Sequence, residues 1–214
     1  DIGLGYFIFD RNYLKKIYYK LVVMMLEIFA TICGLIQSIL IMFKRKENWI
    51  FYMLNILSLT LFSLTAHLYG DVIENLVYVI FGLLGLLTWY FEDITKKIFK
   101  YDNKMRYTKT SEKIFYFMMF SVISIGMYIF LSSTNDPEPL MDAITTGMGF
   151  TATLMMAFKR VDAWVVWLVD DCLMAYIYFI LPDKALWLMS LNIIWIFLAI
   201  GTWYTWHKDY KENN

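Results

Sequence analysis

The sequence predicts an all-α integral membrane protein with seven transmembrane helices arranged as a 3+1+3 parallel repeat. Three observations carry this reading. Of 214 residues, 60% are hydrophobic and 18% charged. An ordinary soluble domain has about 45–50% and about 25%, so too few polar residues exist here to cover a water-facing surface. Seven apolar stretches each have roughly the 17–25 residues that a helix needs to cross about 30 Å of hydrocarbon. Finally, two parts of the chain repeat one another at a fixed offset. Lys+Arg and Asp+Glu stand at 19 each, which leaves no basic excess to neutralise phosphates and excludes a nucleic-acid binder. The lipid bilayer is the expected surrounding.

Residues 1–20 mix charges with aromatics such as Tyr6, Phe9, Tyr13 and Tyr18. They lack a signal-peptide pattern and read as an N-terminal interfacial segment. The spans Leu21–Phe43, Trp49–Leu68 and Val72–Phe91 make a first three-helix repeat over residues 21–91. Residues 92–138 hold a charged cytoplasmic segment and a linker helix, Ile114–Leu131. The spans Leu140–Phe158, Trp164–Leu181 and Ala185–Trp206 make the second repeat, 139–206, and 207–214 are a tail. Asp142, Asp170 and Asp171 interrupt the fifth and sixth spans. Long apolar runs without strict alternation favour helices over a barrel. Cys33 and Cys172 both sit in such runs and read as buried apolar residues rather than as a disulfide or metal ligands.

The balanced charge total conceals an asymmetry. Seven spans put Lys44, Arg45 and Lys46, the seven basic residues between Lys96 and Lys113, Lys159 and Arg160, and Lys208 and Lys211 on one face. The other face has Lys184 and the N-terminal Arg11, Lys15, Lys16 and Lys20. The richer face is cytoplasmic by the positive-inside rule. The N-terminus is therefore expected outside and the C-terminus inside.

Thr31, Gly34, Phe43-Lys44-Arg45, Trp49, Tyr52 and Asn55 reappear as Thr146, Gly149, Phe158-Lys159-Arg160, Trp164, Trp167 and Asp170, all 115 residues later. Thr88-Trp89-Tyr90 meets Thr202-Trp203-Tyr204 at an offset of 114. Three spans per unit plus a returning fourth make the units parallel, which is a transporter architecture with its site between the repeats.

Polar side chains inside spans mark helix contacts or a pathway, because each is costly in lipid. Trp164, Trp167 and Asp171 recur at i, i+3 and i+7 with Asp170 at their flank. That face suits a flat, cationic heteroaromatic ring. An interfacial aromatic belt explains Trp164 equally well. On the third span Asn75 and Tyr78 lie one turn apart and can bond a sugar hydroxyl or an amide, or a neighbouring helix. Gly82 and Gly85 read as a close-packing seam. Asn192 and Trp195 share the same spacing on the seventh span, while Gln37 and Asn55 fit either packing or binding. His67 and His207 have no second ligand nearby in sequence, and no metal, nucleophile or phosphate-loop motif occurs. No catalytic residue, metal or cofactor is expected, and the chain does not read as an enzyme.

A seven-span chain with duplicated three-helix units, Asn75-x-x-Tyr78 and Trp164-x-x-Trp167 resembles the PnuC family of vitamin transporters. The resemblance runs from about Leu21 to Trp206 and implies a SWEET-like fold. It implies facilitated diffusion of nicotinamide riboside, trapped by intracellular phosphorylation, across a bacterial cytoplasmic membrane. The implied substrate-binding residues are Trp164 and Trp167 against the ring and Asn75 and Tyr78 on polar atoms. Asp170, Asp171, Asn192 and Gln37 complete the candidate set. A homotrimer is the implied assembly. The family pattern carries Asn where this chain has Asp171. That departure leaves open thiamine, or a nucleoside moved with a proton on Asp170 or Asp171. A non-transporting scaffold is the reading from a different class.

Overall fold

A computed structural model describes residues 11–66, 68–100, 104–134, 138–180 and 186–213. Expectations placed on residues 1–10, His67 and Lys184 lie outside the described residues. The helices described are α1 (Arg11–Met42), α2 (Asn48–Thr65), α3 (Tyr69–Tyr90), α4 (Glu92–Phe99), α5 (Thr110–Leu131), α6 (Pro139–Ala157), α7 (Ala163–Ile180) and α8 (Leu186–Asn213). All but α4 cover the predicted spans. The largest differences are at the ends, where α1 starts at Arg11 rather than Leu21 and α8 runs on past Trp206 to Asn213. Neither extension contains Gly or Pro, so nothing local stops the backbone ladder at the membrane edge.

Among the described residues six helices, α1, α2, α3, α5, α7 and α8, are long and apolar enough to cross a membrane. The fifth predicted span, α6, is not one of them. It carries Thr145, Thr146, Gly147, Gly149, Thr151 and Thr153, and 13 of its 19 residues are buried. It packs against α3, α5 and α7. A helix wrapped by other helices meets little lipid, so small hydroxylated residues cost less there and allow close approach. Their hydroxyls bond back into the helix, Thr151 to the Gly147 carbonyl at 2.8 Å and Thr153 to that of Gly149 at 2.8 Å. Conversely α5 turns Phe115, Phe117, Val122, Ile125 and Ile129 outward. Cys33 is buried as expected, but Cys172 is exposed on α7. An apolar run cannot say which face of its helix meets lipid.

Within the first unit α2 packs on α1 and α3, and within the second α7 packs on α6 and α8. Between the units α3 packs on α6 and α1 on α8. Each unit's last helix therefore lies against the other's first. The basic end shows the same contacts twice. Lys44 and Lys159 leave α1 and α6 in the left-handed conformation, at φ 58° and 56°, where glycine is the common choice. Lysine in that place sends its ammonium across the unit boundary, Lys44 to Asp209 and Lys159 to Glu92. The Ala157 carbonyl accepts from Thr88 Oγ1 at 2.9 Å and Trp89 Nε1 at 3.1 Å. The Met42 carbonyl accepts from Thr205 Oγ1 at 2.9 Å, and the Ile41 carbonyl from Trp206 Nε1 at 3.0 Å.

These contacts match Thr88, Trp89 and Glu92 with Thr205, Trp206 and Asp209, an offset of 117 rather than 114. The two registers differ by three residues, nearly one helical turn, and so present nearly the same face. Sequence similarity cannot separate them, whereas a cross-unit hydrogen bond can. The new register brings Asn75 opposite Asn192 and Tyr78 opposite Trp195.

The two arginines of the repeated Phe-Lys-Arg diverge. Arg45 is exposed beside Glu47. Arg160 is 2% exposed and donates to Glu112 at 2.8 Å, which also receives Arg106 at 2.6 and 2.9 Å. The reason is that α5 packs on α6, in the second unit.

The glycines of α3 do form a packing seam. A Cβ on Gly85 would lie 2.3 Å from the Trp49 ring, and one on Gly82 2.4 Å from Met53 Sδ. Gly85→Val is expected to destabilise the fold by about 1–3 kcal/mol, the usual range for overpacking. Thermal unfolding in detergent checks this against Gly126→Val, because a Cβ at Gly126 meets nothing within 4 Å.

Candidate functional site

A cavity of about 320 Å³ opens at the centre, walled by α1, α2, α3, α6, α7 and α8. It falls near the lower end of the roughly 300–1,000 Å³ typical of small-molecule sites. One wall is the predicted face of α7. Trp164 is 6% exposed and stands edge-on to Trp206, with ring centroids 5.3 Å apart at 82°. Trp167, one turn on, is half-buried on the same wall, followed by Asp170 and Asp171, 7% and 8% exposed. Facing them are Gln37 from α1, Tyr78 from α3 and Asn192 from α8. Seven of the eight predicted residues thus meet at one cavity. Asn75 is the exception: it is buried on α3 at 8% exposure but does not line the wall. Tyr78, one turn along, reaches the cavity with a longer side chain.

Glycines make room for two of the rings. A Cβ on Gly149 would lie 2.3 Å from the Tyr78 hydroxyl and 3.7 Å from Trp167. A Cβ on Gly34, 115 residues earlier, would lie 3.2 Å from Asn55 Nδ2 and 3.5 Å from Trp195. Each unit's first helix therefore receives an aromatic from the other unit's third helix.

Tyr52, Asn55 and Trp195 also line the cavity and were not in the predicted set. The repeat itself pointed to two of them, since its offset of 115 places Tyr52 opposite Trp167 and Asn55 opposite Asp170. Asn55 Nδ2 donates to the Ala30 carbonyl at 2.6 Å, which ties α2 to α1. The Tyr52 hydroxyl is 3.4 Å from the Tyr78 carbonyl.

Two atoms on the wall are buried without a hydrogen-bond partner among the described residues, Trp164 Nε1 and Asp170 Oδ1. Leaving a buried donor or acceptor unmade costs about 1–3 kcal/mol. Both atoms belong to residues that line the cavity, and unmet buried groups of this kind are ones that a ligand or water can complete. Flat aromatic faces, two carboxylates and several amides can hold a heteroaromatic ring and its polar substituents.

A polar, aromatic-walled chamber enclosed by helices from both halves of the chain, in a chain of long apolar helices, defines a multi-pass membrane transporter for a small molecule. The chain belongs to the nicotinamide mononucleotide transporter family, whose profile matches residues 24–208. It is similar to the nicotinamide riboside transporter PnuC of Neisseria mucosa, with 20% identity over 191 residues that cover 86% of this chain and 73% of that protein. Its fold is similar to the crystal structure of the vitamin B3 transporter PnuC, at a TM-score of 0.66 and 15% identity. That match covers 94% of this chain and 93% of the other. The PnuC resemblance carried by Asn75-x-x-Tyr78 and Trp164-x-x-Trp167 is thus confirmed, and the family is one of transporters rather than enzymes.

Proposed function

We propose that this protein carries nicotinamide riboside across a bacterial cytoplasmic membrane by alternating access. The observation that carries the proposal is the central cavity, where Trp164, Trp167, Asp170 and Asp171 of one unit face Gln37 and Tyr78 of the other. The pyridinium ring lies against Trp167 and Trp164, and an ionised Asp171 or Asp170 offsets its positive charge. Asn192, Gln37 and Tyr78 receive the ribose hydroxyls and the carboxamide. Asn75, buried one turn from Tyr78 on α3, stands behind the cavity wall.

With α6 counted as a seventh crossing the termini lie on opposite sides, and the basic residues gathered on one face support a cytoplasmic C-terminus and an outer N-terminus. The repeated contacts at the basic end support a SWEET-like 3+1+3 parallel duplication. Rocking of the units exchanges those cross-unit contacts and exposes the cavity alternately. Uptake is facilitated diffusion, and intracellular phosphorylation of the nucleoside makes it one-way. Three copies assemble in the membrane, which native mass spectrometry in lipid nanodiscs tests.

One observation favours a second reading, proton-coupled nucleoside transport. Asp170 and Asp171 are adjacent, both nearly buried, and Asp170 Oδ1 has no partner among the described residues. A carboxyl there can hold a proton and donate to a neutral base. Calorimetry with nicotinamide riboside, thiamine, riboflavin and deoxynucleosides separates these substrates. Nicotinamide riboside is expected to bind most tightly. In proteoliposomes it equilibrates without accumulating, whereas accumulation driven by a pH gradient alone would establish the coupled reading. If nothing in the panel binds, the site assignment is wrong.

A further inference from the structure

A second chamber of about 360 Å³ adjoins the central one at the end opposite Lys44 and Lys159. Tyr78, Asp170 and Met174 line both, so the two are neighbours sharing a wall. The outer chamber is built from the first turns of α3 and α6, the last turns of α5 and the second half of α7. Five carboxylates line it, Asp71, Glu74, Glu138, Asp142 and Asp170, and no Lys or Arg does among the described residues. The same described residues contain no group of three Asp, Glu, His or Cys placed to hold a metal ion. The acidic groups are spread along a route, with a buried, unpartnered carboxylate oxygen of Asp170 at its inner end.

We propose that this chamber is an outer binding station for an organic cation of pyridinium-nucleoside type, which Asp71, Glu74 and Asp142 draw in and pass to Asp170 and the tryptophans. The proposal rests on the reading of the central cavity as the nicotinamide riboside site and adds where the ligand first binds. The physics is that of a cleft lined by one sign of charge with low-dielectric walls. Such a cleft focuses its field and raises the local concentration of an oppositely charged solute by about 10- to 1,000-fold. The field at the mouth is screened by salt, with a Debye length of about 8 Å at physiological ionic strength. A neutral nucleoside gains nothing from it.

The test compares initial uptake into proteoliposomes of nicotinamide riboside and of its uncharged 1,4-dihydro form. Both share the amide and the ribose, and both are used far below saturation, from low to high salt. For the wild type, uptake of the cation is expected to fall steeply with salt while that of the dihydro form stays level. The combined Asp71→Asn, Glu74→Gln and Asp142→Asn variant is expected to lose about tenfold of the cation's low-salt rate, and with it the salt dependence. Asp71→Asn alone, at an exposed position, gives a smaller shift in the same direction and covers the case in which the combined variant fails to fold. An unchanged cation rate and salt slope in these variants would overturn the station. An equal loss for both ligands would overturn it too, since it would show a structural role. If the dihydro form is not carried, the cation's salt slope decides alone. Failure of the wild type to bind nicotinamide riboside in calorimetry would instead remove the central-site reading.

Discussion

Trp167→Ala is expected to weaken nicotinamide riboside binding by about 10- to 100-fold, the loss that removing a stacking partner from a heteroaromatic base produces. Trp167 is the residue to test because it is half-buried and lines the cavity. Truncating it removes a ligand face without opening a hole in the packed interior. Trp164 would be a poorer probe, since its ring also packs on Trp206 at 5.3 Å and its loss would disturb the basic end. Calorimetry on the purified protein measures the affinity, and a thermal unfolding midpoint close to the wild type shows the fold intact. Unchanged affinity in a folded variant would mean that the ring binds elsewhere.

Glu112→Ala is expected to produce a large loss of stability at the basic end. Its carboxylate accepts from Arg160 at 2.8 Å, from Arg106 at 2.6 and 2.9 Å, and from the Lys109 backbone N–H at 3.0 Å. It thereby joins the start of α5 to the loop between α6 and α7. Alanine would leave two guanidinium groups without this counter-charge, with side chains 2% and 16% exposed. Removing one partner of a fully buried pair costs about 3–5 kcal/mol, because the remaining charge stays out of water, and with Glu112 27% exposed the loss is expected at the lower end of that range or below it. Arg45→Ala is the matched control, as its guanidinium is exposed beside Glu47, where surface pairs contribute about 0–1 kcal/mol. Thermal unfolding in one detergent compares the two. Equal shifts would mean that the Glu112 cluster is solvated and carries no burden of burial.

The candidate site was unusually legible because its residues violate the rule that governs everything around them. Trp164, Trp167, Asp170 and Asp171 stand out on an apolar helix, and their spacing puts most of them on one face. Gln37 and Asn192 stand out in the same way on α1 and α8. Asn75 stood out equally and yet does not line the cavity, because polarity in a span signals a partner without saying which. Trp195 is unremarkable, as any aromatic in a membrane helix is until the opposite wall is known, whereas Tyr52 is marked through its repeat partner Trp167. The acidic chamber as a whole was not legible, although Asp142 and Asp170 interrupt apolar spans. Asp71 and Asp142 sit in the first turns of α3 and α6, where carboxylates are ordinary, and the two helices, with Glu74 one turn further along α3, are separated in sequence by the whole linker segment.

By itself the sequence determined the class of protein, the order of its long helices and the family, since each depends on local composition, short spacings or overall similarity. Hydrophobic run length is a property of consecutive residues and needs no tertiary information. Tertiary structure alone decided that α6 is wrapped by α3, α5 and α7, which is why it can carry threonine and glycine where lipid would refuse them. It alone chose the 117 register over 114, because registers nearly one turn apart look alike along a helix and differ only in what they touch across the boundary. It also set the different fates of Arg45 and Arg160, identical in motif, by placing α5 over one and not the other. Packing between distant segments is the quantity that no local pattern encodes.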